Sequence, residues 1–184
     1  MKKIPLFART KWIIDTSHSN IGFKVKHLKF ANISGIFKEF DASIYTKGDD
    51  FLTAQVDFWL NPGSIDTGDS NRDIRLRSSD FLHVDKFKVI HFCASNYMKA
   101  ESDGRYEMHG DLSIVGFTKA IKLDVEFGGV IKDAFGNDKS TFNVTGGIKR
   151  KDWGLNWNAG LESGGVLVSD DVWIECNIDL IKQV

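Results

Sequence analysis

Two cysteines and two prolines are few for a chain of 184 residues. Cys93 and Cys176 stand far apart and have neither the spacing of a zinc knuckle nor that of a redox pair. Two thiols also cannot build a disulfide scaffold, so both are expected reduced. Charge of one sign is missing too: 24 Lys and Arg against 25 Asp and Glu leave a net charge of -1. With its basic residues scattered, the chain gives no electrostatic reason to expect nucleic acid as a partner. No apolar run approaches the roughly 20 residues of a membrane-spanning helix, so no integral membrane segment is expected. The start "MKKIPLFARTKW" is positive like an export signal, but Arg9 and Lys11 interrupt its apolar stretch before it reaches signal-peptide length. A cytoplasmic location is therefore expected, with residues 1–10 a loosely packed extension. Linkers, internal repeats and low-complexity segments are absent as well, which makes 1–184 one domain.

What the chain has is 17 glycines and alternation. Ile21, Phe23 and Val25 face one way and Lys24 and Lys26 the other, the period-two pattern of a half-buried strand. The same pattern recurs at Phe40 to Ile44, at Ala54 to Leu60, over residues 89–98 and 106–115, at Ile121 to Phe127, at Phe142 to Ile148 and at Val172 to Leu180. Asp103-Gly104 favours a type I′ hairpin between the fourth and fifth of these, and Gly136-Asn137 a turn between the sixth and seventh. About eight strands with short connections predict an all-β protein, either a closed antiparallel barrel or a two-sheet sandwich, which share this alternation.

One stretch departs from it. "SIDTGDSNRDIRLRSSDF" (64–81) carries Arg72, Arg75 and Arg77 among four aspartates. Asp69 or Ser70 is placed to cap a short helix beginning near Asn71, and Asp73 precedes Arg77 by four residues, the favourable order for a helical ion pair. Ile74, Leu76, Phe81, Leu82, Val84 and Phe87 then form an apolar underside. Two roles stay open for the arginines: a salt-bridged plug over one barrel mouth, or a grip on phosphate oxygens. Gly68-Asp69-Ser70 and Asp80-Phe81-Leu82-His83 imitate esterase blocks, but both sit in one connection of a β protein, so no catalytic residue is expected. His91 and Cys93 share a strand face without a third ligand nearby; Cys93 is expected in the core, and no metal site is assigned. Trp153 and Trp157 either pack over a barrel end or line a portal.

Six blocks carry a resemblance: "WIIDTSHSNIGFKVKH" (12–27), "GIFKEF" (35–40), the "SIDTG" and "RDIRLRSSDF" pieces of 64–81, "GDLSIVGFTK" (110–119), "RKDWGLNWN" (150–158) and "SDDVWIE" (169–175). In this order they resemble the YceI-like family over nearly the whole chain. The resemblance implies an eight-stranded antiparallel lipocalin-like β-barrel, with the short helix in the connection around residues 69–80. It also implies an apolar tunnel holding a polyprenyl or quinone-like isoprenoid lipid, no cofactor beyond that lipid, frequent homodimers and, in many members, export to the periplasm. Arg75 stands where the family usually has His, and Lys88 and Ala120 where Pro is common. Under this reading the tunnel is lined by Phe23, Val25, Phe58, Leu60, Leu112, Ile114, Leu123, Val125, Ile174 and Ile178. Arg72, Arg75, Arg77, Trp153 and Trp157 stand at the headgroup or mouth. The expected function is non-covalent binding, storage or transport of the lipid. A stress-related binding module whose barrel is filled by its own aromatics, acting through its surface, is the alternative.

Overall fold

Glycines at the turns and β-branched or aromatic residues at alternate positions let this chain turn back on itself repeatedly. The computed structural model describes residues 9–28, 30–158 and 168–183; residues 1–8 of the expected N-terminal extension lie outside these. Eleven strand segments form one sheet: β1 (Arg9–Ile14), β2 (Asn20–His27), β3 (Ala31–Phe37), β4 (Phe40–Lys47), β5 (Asp50–Leu60), β6 (Ile65–Asp66), β7 (Ile90–Lys99), β8 (Arg105–Ile114), β9 (Phe117–Lys132), β10 (Asp138–Lys149) and β11 (Val168–Lys182). Among the described residues one α-helix, α1 (Ser70–Arg77), lies between β6 and β7. Among the described residues no helix is long and apolar enough to cross a membrane.

The segments make eight antiparallel strands in a closed ring. Different stretches of β11 pair with both β1 and β2, so these two are halves of one bent strand. Likewise β4 pairs with β1 while β3 pairs with β2, and β6 meets β3 just beyond the point where β5 leaves β4. β5 pairs with β7, from β7 onward each strand pairs with the next in sequence, and β11 closes on β1. Closure removes the unpaired edges that an open sheet of this length would present. The structure thereby selects the barrel over the sandwich and adds β1 and β3, which alternation alone did not reveal. Arg9 and Thr10, placed in the N-terminal extension by the sequence reading, open β1.

Hairpin chemistry is also redistributed. The β7–β8 connection is a longer loop closed by the Ala100 N–H to the Arg105 carbonyl, with only Gly104 at positive φ (73°), so the expected type I′ turn is not there. The tight two-residue turn is Val115-Gly116, with φ of 43° and 82° between the paired Ile114 and Phe117. Positive φ at both positions is the type I′ signature, and a β-branched valine is the residue least expected to adopt it.

Between β1 and β2 the chain leaves the ladder at Asp15 and is fastened back. The Asp15 N–H donates to the Asp179 carbonyl at 2.8 Å, and the Asp179 N–H donates to Ser19 Oγ at 2.9 Å. The Asp15 carboxylate accepts from Ser17 Oγ at 2.6 Å and from Lys139 Nζ on β10 at 3.0 Å, and His18 Nδ1 stands 2.9 Å away. The Ser17 hydroxyl first, then His18 and Lys139, hold this carboxyl well below the ordinary carboxylate range. In the unfolded chain Asp15 takes up its proton near pH 4, so the stabilisation is complete above that pH and fades as pH falls through and below it. Asp15→Asn is expected to cost about 1 kcal/mol at neutral pH. The gap in melting temperature between parent and variant then narrows below about pH 4; a pH-independent gap, measured by thermal melts, would contradict the linkage.

Candidate functional site

The barrel is hollow. A cavity of about 960 Å³ runs from a floor between β1, β4 and β5 to a mouth under α1 and the segment after β10. That is near the upper end of the roughly 300–1,000 Å³ typical of ligand pockets.

Aromatic packing makes the floor. Trp12 is fully buried, with its Nε1–H donating to Thr46 Oγ1 at 2.8 Å and the Thr46 hydroxyl donating to the Gly48 carbonyl at 2.6 Å. The Phe51 ring lies 4.8 Å from that of Trp12, 5.2 Å from Phe127 and 4.9 Å from Phe142, closing this end with aromatic carbon. Aromatic pairs at such separations gain energy beyond simple burial.

All ten residues assigned to the tunnel, from Phe23 and Val25 on β2 to Ile174 and Ile178 on β11, border the cavity. Inward residues share one parity along each strand, so alternation identifies the lining wherever no bulge intervenes. Gly35 opposite Phe23 is part of this design, because a Cβ there would stand 2.4 Å from Cζ of the Phe23 ring that lies across it. Cys176 also borders the cavity; burial pushes its thiol up to about 11, so it is a neutral part of the lining. Cys93, expected in the core, is exposed on the outer face. Phe92 and Ala94 take the inward positions on β7, and parity sends Cys93 and His91 outward. His91 pairs there with Asp57 at 2.5 Å. Among the described residues no group of three His, Cys, Asp or Glu side chains is placed to hold a metal.

At the mouth the structure keeps the helix and reassigns its charges. Asp69 caps α1, accepting the Arg72 N–H at 3.0 Å. Asp73 does not pair with Arg77: it is buried and accepts both the N–H and the hydroxyl of Thr67. Arg77 donates instead to the carbonyls of Gly63 and Ile65, at 2.8 and 2.7 Å, and does not border the cavity. Arg72 borders it, but donates to the hydroxyl and carbonyl of Thr67. The salt-bridged plug is therefore absent. Guanidinium groups clamp the backbone of the connection, because its carbonyls lack ladder partners and must be satisfied. Ile74, assigned to the underside, is 64% exposed, whereas Leu82 is buried and Leu76 and Val84 pack on the core.

Arg75 reaches the opening itself. Its guanidinium lies 4.9 Å from the Trp157 ring, whose other neighbour is Phe81 at 5.2 Å. Arg75, Trp157 and Phe81 all border the cavity, while Trp153 is buried behind the wall with its Nε1–H on the Leu112 carbonyl at 2.9 Å. The sequence reading missed Arg150. It is 4% exposed, borders the cavity and donates to the carbonyls of Leu155, Trp157, Val168 and Ser169, with Asp170 at 3.4 Å. Burial lowers its pKa, but a guanidinium stays charged in proteins. Arg150 thus fixes the segment that presents Trp157, a role that four scattered carbonyls do not announce in the sequence.

The esterase-like blocks do not assemble. Ser70 begins α1, Asp69 serves as its cap, and His83 lies in the following turn with its ring against Phe87 at 5.9 Å.

Residues 12–180 match the YceI-like domain. The UPF0312 protein SAS2572 of Staphylococcus aureus is 34% identical over 171 residues, covering 92% of this chain and 96% of that protein. Among solved structures, the Campylobacter jejuni YceI protein is similar with a TM-score of 0.72 and 29% identity, all of both chains being covered. Burkholderia cenocepacia BcnA has a TM-score of 0.75 at 20% identity, covering 90% of this chain and 98% of its own. A polyisoprenoid-binding domain from Saccharophagus degradans has a TM-score of 0.69 at 15% identity, covering 94% and 98%; these last two share the fold. Family match, curated relative and barrel agree: the chain belongs to the YceI-like domain family.

Proposed function

We propose that this protein binds a long isoprenoid lipid without covalent chemistry, enclosing the tail in the barrel and carrying it between sites. The observation that carries the reading is the continuous, largely apolar cavity of about 960 Å³, bordered from Phe51 at the floor to Trp157 at the mouth. The polyisoprenoid binding in the description of the Saccharophagus degradans domain supports the same ligand class.

Its driving force is removal of hydrocarbon from water. At about 0.8 kcal/mol per CH₂-sized group, one five-carbon isoprene unit contributes roughly 3 to 4 kcal/mol gross. A few units offset the cost of immobilising a flexible chain and still leave tight binding. Length is available: β11 spans 15 residues, about 50 Å along the strand and roughly 35 to 40 Å along the axis of a barrel whose strands tilt about 40°. A pre-formed tube needs no catalytic group to do this. The stress-related surface module drew on a side-chain-filled barrel, and the open cavity favours the carrier.

Native mass spectrometry of the protein purified from cells tests the proposal. A mass increment that disappears on denaturation, and that extracts into organic solvent as an isoprenoid, is the expected result. A protein that carries no added mass and takes up no isoprenoid from detergent solution would defeat it.

A further inference from the structure

The net charge of -1 conceals a local excess. From Thr16 to Lys38 the chain has no Asp or Glu, and it carries Lys24, Lys26, Lys29 and Lys38. This stretch builds the β2–β3 hairpin, in which Val25, His27 and Ile33 border the cavity and His27 pairs with Val168 at the start of β11. Arg150 at the mouth donates to the Val168 carbonyl, so the hairpin ends at the opening. Its tip is apolar. Leu28 takes φ of 51°, a left-handed conformation that side chains of its size rarely adopt, and the Phe30 N–H donates to the Leu28 carbonyl at 2.9 Å. Leu28 is 46% and Phe30 91% exposed, and Ile74 of α1, at the same end, is exposed as well.

Cations fringe this carbon. Lys24 is held by Glu175 and Lys38 by Asp66, whereas Lys26 is exposed and makes no ion pair among the described residues. Arg75 is exposed beside Trp157 at the opening. Two carboxylates at that end are already engaged: Asp69 borders the cavity and caps α1, and Asp170 pairs with Arg150 and Lys151. Exposed hydrocarbon with cations left over is complementary to a bilayer carrying anionic headgroups, which attract Lys and Arg while Leu and Phe enter the carbon below them. The floor end provides a contrast. Phe135, in the turn between β9 and β10, is 90% exposed, but Asp133 and Asp138 stand on either side of it in the chain and Lys132 is paired with Asp138.

We infer that the rim of the mouth, formed by Leu28, Phe30 and Ile74 with Lys26 and Arg75, is a docking surface for an anionic lipid bilayer and sets the opening of the barrel against the leaflet. Docking is peripheral and reversible, because so few inserted side chains fall far short of an anchor. It gives an apolar tail a route between leaflet and cavity that avoids water. The surface goes beyond the carrier reading and does not depend on which lipid the cavity takes.

Flotation of the full chain with vesicles free of isoprenoid tests the surface. The parent is expected to float with vesicles of phosphatidylglycerol and phosphatidylcholine, to bind phosphatidylcholine alone more weakly, and to lose affinity as added salt screens its exposed charges. Phe30→Ser lowers the partition coefficient about tenfold, and Lys26→Gln lowers it about fivefold on the mixed vesicles. Phe135→Ser, equally exposed at the other end, leaves it unchanged. All three variants keep the parent's melting temperature, since the replaced side chains are exposed. A parent that floats with neither vesicle overturns the docking surface, as does an equal loss in Phe30→Ser and Phe135→Ser. Conversion of a parent dimer to a monomer by Phe30→Ser in size-exclusion chromatography also overturns it, because a second copy then covers the rim. An isoprenoid found by native mass spectrometry in a parent that does not float removes the docking surface and leaves the tunnel standing.

Discussion

Replacing Ile174 by Trp is expected to abolish lipid uptake while leaving the melting temperature at or above the parent's. Ile174 sits on β11 opposite Gly146 of β10 and Phe23 of β2, and its half-buried side chain borders the cavity. In a solid core, forcing extra atoms into place costs roughly 1 to 3 kcal/mol through displaced neighbours. In an open tube the larger ring occupies space that the tail would use and gains contacts of its own. Excluding even one isoprene unit removes about 3 to 4 kcal/mol of gross burial, more than a hundredfold in affinity. Fluorescence binding with an isoprenoid probe and thermal melts measure the two quantities. Undiminished uptake together with a lowered melting temperature would mean that position 174 lies in a filled core and that the lipid does not occupy this tube.

The second large effect is expected at the other extreme of packing. Trp12→Ala empties the site of the bulkiest fully buried side chain among the described residues, removes the ring against Phe51 and leaves Thr46 without the indole donor. Large-to-small changes of this kind cost about 3 to 5 kcal/mol, or roughly 6 to 20 °C of melting temperature for a chain of this size. Trp12→Phe retains most of the carbon and loses the hydrogen bond, so a substantially smaller drop is expected. If alanine at position 12 lowers stability by less than about 1 kcal/mol in denaturant titration, Trp12 is not the anchor of the floor.

The two sites differ in how they could be found. Ile174 stands in a regular alternation with Val172, Cys176 and Ile178, and that pattern alone was enough to put it on an inner face. Trp12 is in a short segment that leaves its ladder at Asp15; β1 becomes recognisable as a strand only when β4 and β11 are seen on either side of it. The type I′ turn at Val115-Gly116 was hidden for a related reason. Local preference opposes a valine at positive φ, and the pairing of β8 with β9 overrides it.

Periodicity, turn residues and helix caps act over a few neighbouring positions, so eight alternating runs, the parity of each and a short helix capped at Asp69 or Ser70 were determined by the sequence itself, without β1 and β3. Closure of the sheet through β11 and β1, the open interior and the capture of Arg72, Arg77 and Arg150 by backbone oxygens were decided by the tertiary structure. Each depends on distances between residues far apart in the chain. A guanidinium carries the same donors wherever it stands, and only the surrounding fold settles which acceptors of the protein meet them.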